Sequence, residues 1–527
     1  MTPSSAHRVQ PHRARRVHWN AHLERHAAMQ PDRPAIRFQG RTATWRELDD
    51  RVRVLADALA GRGVCPGDRV ALVMGNRPEF LEVVLAANLL GAIAVPLNFR
   101  LTGAEAAYIL SDSGAKLAVV DELGKPILED AGAKLETKVD TIVTGIDASP
   151  FTAYEALLGE GDGSREHIDI AEDTPALIMY TSGTTGWPKG AVLNHLNLQA
   201  QALTLMRAFQ YVDEDETNLI ASPLFHIGAI GSVVPTILVG GTLVIQPTRA
   251  FDAGELIDVL DQEGVTSVFL VPTQWQAICD HPESVTRALP RLRVLGWGAA
   301  PATDVLLRKL SATFPDTMSV ALFGQTEMSP VTCVLHGRDA LRKLGSVGKP
   351  IATVSSRVID AQMRDVKPGE VGEMVYRGPG LMQGYWNKPS ETAEAFAGGW
   401  FHSGDLVRVD EEGYVYVVDR VKDMIISGGE NIYCAEVENV LAGHPAVAEV
   451  SVVGALHDVW GETPVAFVVP HAGATLDLGE LRSWASDFLA RYKLPTRLEV
   501  VDTLPRNASG KILKANLRTT LKEVEAL

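Results

Sequence analysis

Strand-like and helical segments alternate from residue 30 to about 300, and this alternation constrains the fold more than any other feature. Val70–Met74 and Leu117–Val120 are typical of strands, whereas Pro78–Leu90 has apolar residues at helical spacing. Ser267–Val271 and Leu292–Leu295 continue the series of strands. Strands that alternate with helices favour parallel sheets covered by helices.

The pattern changes after about residue 350, where short alternating strands such as Gly372–Tyr376 and Gly413–Val418 predict a β-rich subdomain. The segment from Arg420 to Leu527 contains a strand, a Gly-Gly turn, a helix over Cys434–Leu441, further strands and a final helix. It is long enough for a small α+β domain. We therefore predict an α/β protein with a large N-terminal domain of parallel-rich sheets covered by helices, a β-rich subdomain and a small α+β C-terminal domain.

Charge and cysteine content narrow the functional classes. The net charge of -16 argues against a nucleic-acid surface as the main role. The four cysteines lack the spacing of a zinc site, and scattered thiols fit a reducing cytoplasm.

The most apolar segments, Phe80–Leu97 and Ile227–Ile245, are interrupted by polar residues, glycine or proline, which favours buried elements over membrane spans. The basic N-terminus through Asn20 lacks an apolar core, so we expect a partly disordered arm, not a secretory signal.

A loop rich in glycine and hydroxyl groups follows the apolar run Ala176–Met179, and it reads Thr-Ser-Gly-Thr-Thr-Gly-Trp-Pro-Lys-Gly over Thr181–Gly190. Glycines let successive N–H groups point at one anion, hydroxyls add donors, and Lys189 adds a point charge. These properties suit a triphosphate. The Walker pattern needs Gly-Lys followed by Ser or Thr, which this loop lacks. A flexible surface linker is the alternative interpretation, but a linker has no need of the strand-like run before it.

This loop resembles the Thr-Ser-Gly-Thr-Thr-Gly-x-Pro-Lys-Gly signature of the adenylate-forming superfamily, which includes acyl-CoA synthetases, firefly-type luciferases and peptide-synthetase adenylation domains. The resemblance recurs in order along nearly the whole chain, and it is closest to bacterial fatty-acyl-CoA ligases. It implies that the loop binds ATP and that Thr181 also takes part in catalysis. The implied loop ligands are Thr181, Ser182, Gly183, Thr184, Thr185, Gly186 and Lys189.

Two motifs resemble the superfamily's adenine site. Leu322–Glu327 resembles its Tyr-Gly-x-Thr-Glu element with Phe323 in place of tyrosine, so Phe323 and Gly324 are expected at adenine and Thr326 at phosphate. Glu327 is expected to bind Mg²⁺ through oxygen and to be catalytic. Gly298, Ala299 and Ala300 belong to a turn that resembles the one lining adenine and the acyl group. For Trp297, just before this turn, core packing and a place at the acyl pocket both stay open.

The remaining candidates also depend on the resemblance. It places His226 between the acyl carboxylate and the thiol route, Asp405 with Arg420 at the ribose, and Lys422 at the pivot of a mobile C-terminal domain. The same resemblance makes Gly428, Gly429 and Glu430 a loop that shapes the pantetheine tunnel, and Lys511 a catalytic lysine. It divides the chain into an ATP- and acyl-binding domain over 1–419 and a mobile domain over 420–527. Each of these residues has an ordinary structural alternative, such as a core histidine, a turn aspartate or a solvated lysine.

The implied reaction is a two-step acid–thiol ligation that uses ATP, Mg²⁺ and coenzyme A as co-substrate. A carboxylate attacks the α-phosphorus of ATP, and the thiol of coenzyme A then displaces AMP from the acyl group. The resemblance favours a fatty acid, while an aryl acid, or an acyl-AMP ligase that serves a separate carrier protein, stays an alternative. A luciferase-like oxygenase and a non-enzymatic nucleotide-binding regulator are further alternatives. Transient membrane-surface contact and a homodimer stay open.

Overall fold

The structure is a computed structural model, and it describes residues 16–136, 138–165, 168–181, 187–428, 430–506 and 512–525. The chain divides into two compact units. The first contains Met1–Ser355 and Arg377–Ala397, and the second contains Ser356–Tyr376 and Gly398–Leu527. The second unit therefore joins a β-rich segment to the C-terminal region. The predicted domain boundary at residue 420 lies inside this unit and stays a prediction.

The helices and strands are as follows. The helices are α1 Trp19–Met29, α2 Trp45–Gly61, α3 Pro78–Leu89, α4 Gly103–Ser113, α5 Lys125–Gly132, α6 Tyr154–Leu158, α7 His195–Ala208, α8 Ile227–Val239, α9 Ala253–Gln262, α10 Pro272–Asp280, α11 Asp304–Thr313, α12 Gly337–Ala340, α13 Pro389–Ala395, α14 Cys434–Leu441, α15 Leu478–Ser486 and α16 Lys514–Glu525. The strands are β1 Pro34–Phe38, β2 Arg41–Thr44, β3 Arg69–Val73, β4 Ile93–Leu97, β5 Ala115–Val120, β6 Asp140–Val143, β7 Thr152–Ala153, β8 Pro175–Thr181, β9 Lys189–Asn194, β10 Thr217–Ile220, β11 Thr242–Ile245, β12 Ser267–Leu270, β13 Val294–Gly298, β14 Met318–Gly324, β15 Val331–His336, β16 Lys349–Pro350, β17 Ser355–Ile359, β18 Val371–Arg377, β19 Gly384–Tyr385, β20 Phe401–Val409, β21 Val415–Arg420, β22 Ile425–Ser427, β23 Glu430–Ile432, β24 Val447–His457, β25 Gly461–Pro470 and β26 Arg497–Val500.

Two sheets form the framework of the first unit. One has the order β16-β15-β14-β13-β12-β10-β11-β1-β2, and the other has the order β19-β9-β8-β4-β3-β5-β6-β7. Their central strands are parallel, whereas the pairs β8–β9, β9–β19 and β14–β15 are antiparallel. The predicted α/β fold with parallel-rich sheets is confirmed. Parallel order brings the carboxyl ends of β12, β13 and β14 to one edge, where ligands bind in open α/β sheets.

Helix α4 packs on the second of these sheets and has clear start and stop signals. Thr102 and Glu105 form a capping box at its start, and Gly114, with φ of 63°, ends it in a left-handed conformation. Its buried face includes Ala106, Ile109 and Leu110, which join Val95 and Ile178 in a common apolar core. The core fixes the rotation of α4, and therefore the direction in which its other side chains point.

The second unit contains two β-sheets. The strands β17, β18, β20 and β21 form one sheet, and β22 to β26 form the other, on which α14 and α16 pack. Val437 and Leu441 of α14 share a core with Val452 and Ala466 of the sheet. The predicted β-rich segment and the predicted helix Cys434–Leu441 are both present.

The last residues of the predicted, partly disordered arm through Asn20 belong to the folded structure. Arg16 pairs with Asp169 and Glu172, and α1 already begins at Trp19. The Trp19 indole is buried and donates a hydrogen bond of 2.9 Å to Asn88 Oδ1. Specific ion pairs and burial of this indole offset the entropy cost of ordering the segment. Among the described residues, no helix is long and apolar enough to cross a membrane.

Candidate active site

The strands that flank the predicted phosphate loop form an antiparallel pair. Thr181 is the last residue of β8 and faces Lys189, the first residue of β9. The Thr181 hydroxyl donates to the Lys189 carbonyl across 3.5 Å, a long contact. The loop thus leaves one strand and returns directly beside it. Ser182, Gly183, Thr184, Thr185 and Gly186, all predicted phosphate ligands, lie outside the described residues.

Glu327 and Lys189, two predicted site residues from distant parts of the chain, meet at Tyr385. The Tyr385 hydroxyl donates a hydrogen bond of 2.9 Å to Glu327 Oε1, and Lys189 Nζ lies 5.3 Å from the centre of the Tyr385 ring. Pairing of β19 with β9 brings Tyr385 to this place. Burial and the Glu327 charge raise the pKa of Tyr385, so its phenol stays a donor at neutral pH. Tyr385 belongs to no motif recognisable in the sequence, because β19 is only two residues long.

The predicted adenine-site residues lie at the ends of two neighbouring parallel strands. Gly298 ends β13 beside Leu322 of β14, and the exposed Ala299 and Ala300 follow it. Half-buried Phe323 and Thr326 lie on or just after β14. The structure thus brings these five residues to one edge of the sheet.

The two glycines at this edge lie against neighbouring backbone. A Cβ on Gly324 would lie 1.9 Å from the Pro330 carbonyl oxygen, and a Cβ on Gly298 would lie 2.2 Å from the Leu322 carbonyl oxygen. Tight backbone packing between neighbouring strands therefore already excludes a side chain at both positions.

The Trp297 side chain lies on the same face of the sheet as Ser319. Its indole donates a hydrogen bond of 3.1 Å to Ser319 Oγ, and Ser319 is paired with Leu295, two residues before Trp297. Gly296 points to the opposite face, where a Cβ would contact Phe209 and Phe269. Since successive side chains on a strand alternate, the Trp297 indole and Phe269 lie on opposite faces of the sheet. With 7% of its surface exposed, Trp297 is a core residue in this structure.

His226 lies at the N-terminal end of α8 and is half-buried beside an aromatic ring. Its ring centre is 4.5 Å from that of Phe225, which in turn contacts Phe99 edge-on. Burial, and then the charge of Arg100, lower the pKa of His226 to about 4. The imidazole is therefore neutral at pH 7. It has no cationic charge with which to attract a carboxylate at that pH.

Asn76 holds the loop that precedes His226, and sequence analysis did not identify it. Asn76 Nδ2 donates a hydrogen bond of 2.9 Å to the Ser222 carbonyl, and Asn76 Oδ1 accepts one of 2.8 Å from the Leu224 N–H. A small cleft lies beside this loop. It is lined by Leu219, Ile220, Ala221, Ser222, Ala229, Ser232 and Phe269.

The second unit contains the predicted ribose and pantetheine residues. Asp405 and Arg420 pair across β20 and β21, with Arg420 Nε 2.6 Å from Asp405 Oδ1, and Asp405 is only 2% exposed. Gly428 and Glu430 belong to the β22–β23 hairpin, and the Gly428 N–H donates 2.7 Å to the Trp460 carbonyl. Lys422 is exposed in the turn after β21. Gly429 and Lys511 lie outside the described residues.

A magnesium ion fits the Glu327 carboxylate only as part of a complex with a substrate. Among the described residues, no cluster of three or more His, Cys, Asp or Glu could hold a metal ion by itself. Mg²⁺ in nucleotide sites is commonly bound by one or two carboxylates together with substrate phosphates. The hydrogen bond from Tyr385 goes to Oε1 of Glu327 and orients this carboxylate.

Comparison with known proteins agrees with this geometry. A family model described as AMP-binding enzyme matches residues 23–386, and its C-terminal domain model matches residues 436–511. The chain belongs to the AMP-binding enzyme family. Within this family it is an enzyme of the AMP-forming acid–CoA ligase type.

Three relatives of this AMP-binding enzyme are informative. A feruloyl-CoA synthase from Amycolatopsis is 41% identical over 94% of this chain and 97% of its own length. A long-chain-fatty-acid–CoA ligase from Mycobacterium tuberculosis is 35% identical over 90% of this chain and 92% of its own length. The structure of o-succinylbenzoate–CoA synthetase from Bacillus subtilis, in complex with ATP and magnesium, aligns with a TM-score of 0.82 at 33% identity, covering 95% of this chain and 99% of that one.

Proposed function

We propose that this AMP-binding enzyme converts an aromatic carboxylic acid to its CoA thioester through an acyl-AMP intermediate. The observation that carries the proposal is the cluster of Lys189, Tyr385 and Glu327 beside the Gly/Thr-rich loop. It combines a cation for phosphate with an oriented carboxylate for a phosphate-bound cation. The cation and the oriented carboxylate are both needed, because the anionic carboxylate of the substrate must approach an anionic triphosphate.

The first step is adenylation of the acid. A carboxylate oxygen attacks the α-phosphorus of ATP, and the bond to the bridging oxygen breaks to release pyrophosphate. Lys189 offsets phosphate charge, and Glu327 would hold Mg²⁺, which neutralises charge on the triphosphate when bound. Phe323, with Gly298, Ala299, Ala300 and Gly324, is proposed for adenine, and Asp405 with Arg420 for the ribose. The phosphate roles predicted from the sequence are proposed for eight residues: Thr181, Ser182, Gly183, Thr184, Thr185, Gly186, Thr326 and Lys511.

The second step transfers the acyl group to the thiol of coenzyme A. The thiolate sulfur attacks the acyl carbon, the bond from that carbon to the phosphate oxygen breaks, and AMP leaves. We propose that neutral His226 lines this route and that the Gly428–Glu430 turn, including Gly429, shapes the pantetheine path. A carrier-protein thiol is the alternative acceptor, since one relative, from Streptomyces coeruleorubidus, is a fatty acid–carrier-protein ligase.

Similarity to relatives supports an aromatic acid over a fatty acid. The feruloyl relative shares more identity with this chain than the long-chain-fatty-acid relative does. The succinylbenzoate relative also acts on an acid that contains a benzene ring. The fatty acid favoured by sequence resemblance is therefore the second candidate. We propose that the body of the acid lies near Phe269, because the small cleft there adjoins the His226 loop, and this cleft must widen to admit an aromatic ring.

A substrate panel tests the proposal. The purified enzyme with Mg-ATP is assayed with ferulate, phenylacetate, octanoate and palmitate, with and without coenzyme A, and AMP and acyl-CoA are quantified. CoA-dependent release of AMP should be greatest, by kcat/KM, with an aromatic acid. A higher kcat/KM for octanoate or palmitate would assign the enzyme to fatty acids. AMP release that needs a phosphopantetheinylated carrier protein and not coenzyme A would overturn the proposed acceptor.

A further inference from the structure

Helix α4 presents two side chains to the strands that flank the phosphate loop. Tyr108 and Asp112 are four residues apart and therefore share one face of the helix. We call this pair the α4 face. The capping box at Thr102 and the apolar core described above fix the position of α4 independently of the loop.

Asp112 binds the strand that enters the loop. The hydroxyl of Tyr180, the residue before Thr181, donates a hydrogen bond of 2.6 Å to Asp112 Oδ2. Lys388 Nζ lies 3.4 Å from Asp112 Oδ1. The Asp112 carbonyl also accepts hydrogen bonds of 3.2 Å from Trp386 Nε1 and Asn387 Nδ2. Asp112 therefore joins the loop's entry to the segment that follows β19.

Tyr108 contacts the chain where it leaves the loop. Its ring stacks on that of Trp187 with centres 4.5 Å apart and planes at 25°. Trp187 occupies the variable position of the Gly-x-Pro-Lys signature and is 54% exposed. An aromatic ring this exposed adds little to a core, so its stacking partner is its main interaction in the structure.

Both ends of the loop are thus held by one rigid helix. Tyr180 and Trp187 bracket the loop, and each contacts a different residue of the α4 face. We infer that Tyr108 and Asp112 are positioning residues that hold the loop's ends in the conformation that binds Mg-ATP. Holding the ends of a ligand-binding loop in place before the ligand arrives reduces the entropy cost of binding. The inference rests on the proposed binding of ATP by this loop.

Calorimetry with a non-hydrolysable Mg-ATP analogue tests the contribution of the stacked pair. Trp187→Ala and Tyr108→Leu should each raise the Kd by about two- to tenfold, the range expected for loss of one aromatic pair. Trp187→Phe and Tyr108→Phe retain a stacked pair and should restore near wild-type binding. The double variant Tyr108→Leu/Trp187→Ala should bind no more weakly than either single variant, because both remove the same contact. The melting temperature of Trp187→Ala should stay within about 2 °C of that of the wild type, since Trp187 is half-exposed.

Tyr180→Phe tests the Asp112 contact, because it removes only the hydroxyl that donates to this carboxylate. It should also raise the Kd for the analogue. Phe488→Ala is the matched control, since Phe488 is an exposed aromatic residue that follows α15 in the second unit. It should leave the Kd unchanged.

The outcomes separate this inference from the proposed function. If wild type binds the analogue and Trp187→Ala, Tyr108→Leu and Tyr180→Phe bind it equally well, the positioning inference is wrong while ATP binding stands. Additive effects in the double variant would also contradict a shared contact. If wild type itself fails to bind, the proposed function fails, and the inference fails with it.

Discussion

Tyr385 Oη donates a hydrogen bond of 2.9 Å to Oε1 of Glu327, while the same tyrosine's ring faces the ammonium group of Lys189. One side chain thus contacts both the carboxylate proposed for Mg²⁺ and the cation proposed for phosphate. The two functions of Tyr385 are separable, because the hydroxyl serves Glu327 and the ring serves Lys189.

Two substitutions of Tyr385 should therefore have different effects. Tyr385→Phe keeps the ring and removes the donor, so the Mg²⁺ concentration for half-maximal adenylation should rise. Loss of one hydrogen bond to a charged group should raise this Mg²⁺ concentration by about one to two decades. Tyr385→Leu also removes the ring and should in addition raise the KM for ATP. Pyrophosphate release measured across a Mg²⁺ titration checks both. An unchanged Mg²⁺ dependence in Tyr385→Phe would show that the hydrogen bond does not orient Glu327.

The sequence could predict the segments whose chemistry is local. The loop over Thr181–Gly190 was identifiable because glycine, hydroxyl and lysine residues are concentrated within ten positions, directly after an apolar run. The alternation of strands and helices likewise predicted the sheets of the first unit, because periodicity is a local property. Helix Cys434–Leu441 has the predicted bounds for the same reason.

Contacts between distant segments could not be predicted in this way. Tyr385 is 58 residues from Glu327 along the chain, and only the pairing of β19 with β9 brings the two together. Tyr108 and Asp112 have no motif, since their partners are set by where α4 packs. The face of β13 on which Trp297 lies depends on the register with its neighbouring strands, so the sequence left both interpretations open.

Trp297 and Phe269 should differ in what their truncation changes. Trp297→Ala should lower the free energy of unfolding by about 3–5 kcal/mol, because it leaves a cavity in the core. It should not reorder the acids that the enzyme prefers. Phe269→Ala changes the lining of the cleft on the opposite face and should alter the ratio of kcat/KM between aromatic and aliphatic acids. Denaturant unfolding and the substrate panel measure these effects. A reordered panel in Trp297→Ala would return Trp297 to the acid pocket.

Asp405→Asn should weaken binding of ATP. The buried carboxylate of Asp405 pairs with Arg420, and the amide would lose both this ion pair and the charged acceptor proposed for the ribose. The expected loss is roughly 1.5–3 kcal/mol, or about one to two decades in Kd by calorimetry. Arg420→Lys keeps the charge but loses the guanidinium geometry, so a smaller effect is expected. Wild-type affinity in Asp405→Asn would remove Asp405 from the nucleotide site.

Gly428→Ala should impair transfer to coenzyme A more than adenylation. Gly428 has φ of 59°, and a Cβ would lie 2.8 Å from a ring carbon of Trp460. The hairpin or the indole must therefore shift. Gly413→Ala is the control, because Gly413 also has a positive φ of 83° but open space around it. Acyl-AMP formation and thioester formation from supplied acyl-AMP are measured separately. Equal loss in both half-reactions, or the same effect from Gly413→Ala, would contradict the proposed role of this turn.

Acid should destabilise the first unit through His195. Burial, and then the charge of His18 with its ring centre 5.1 Å away, lower the pKa of His195 to about 3, and neither nitrogen of the buried His195 ring has a hydrogen-bond partner in the structure. Between about pH 3 and its ordinary value of about 6.5, the unfolded chain therefore binds a proton here that the folded chain does not. The free energy of unfolding should fall as the pH decreases through this window, by up to about 1.4 kcal/mol per pH unit for this one group. His195→Gln removes the titrating ring and should give a shallower decrease between pH 7 and pH 5, measured by urea unfolding at each pH. If the variant and wild type lose stability in parallel over that interval, His195 is not a source of the pH dependence.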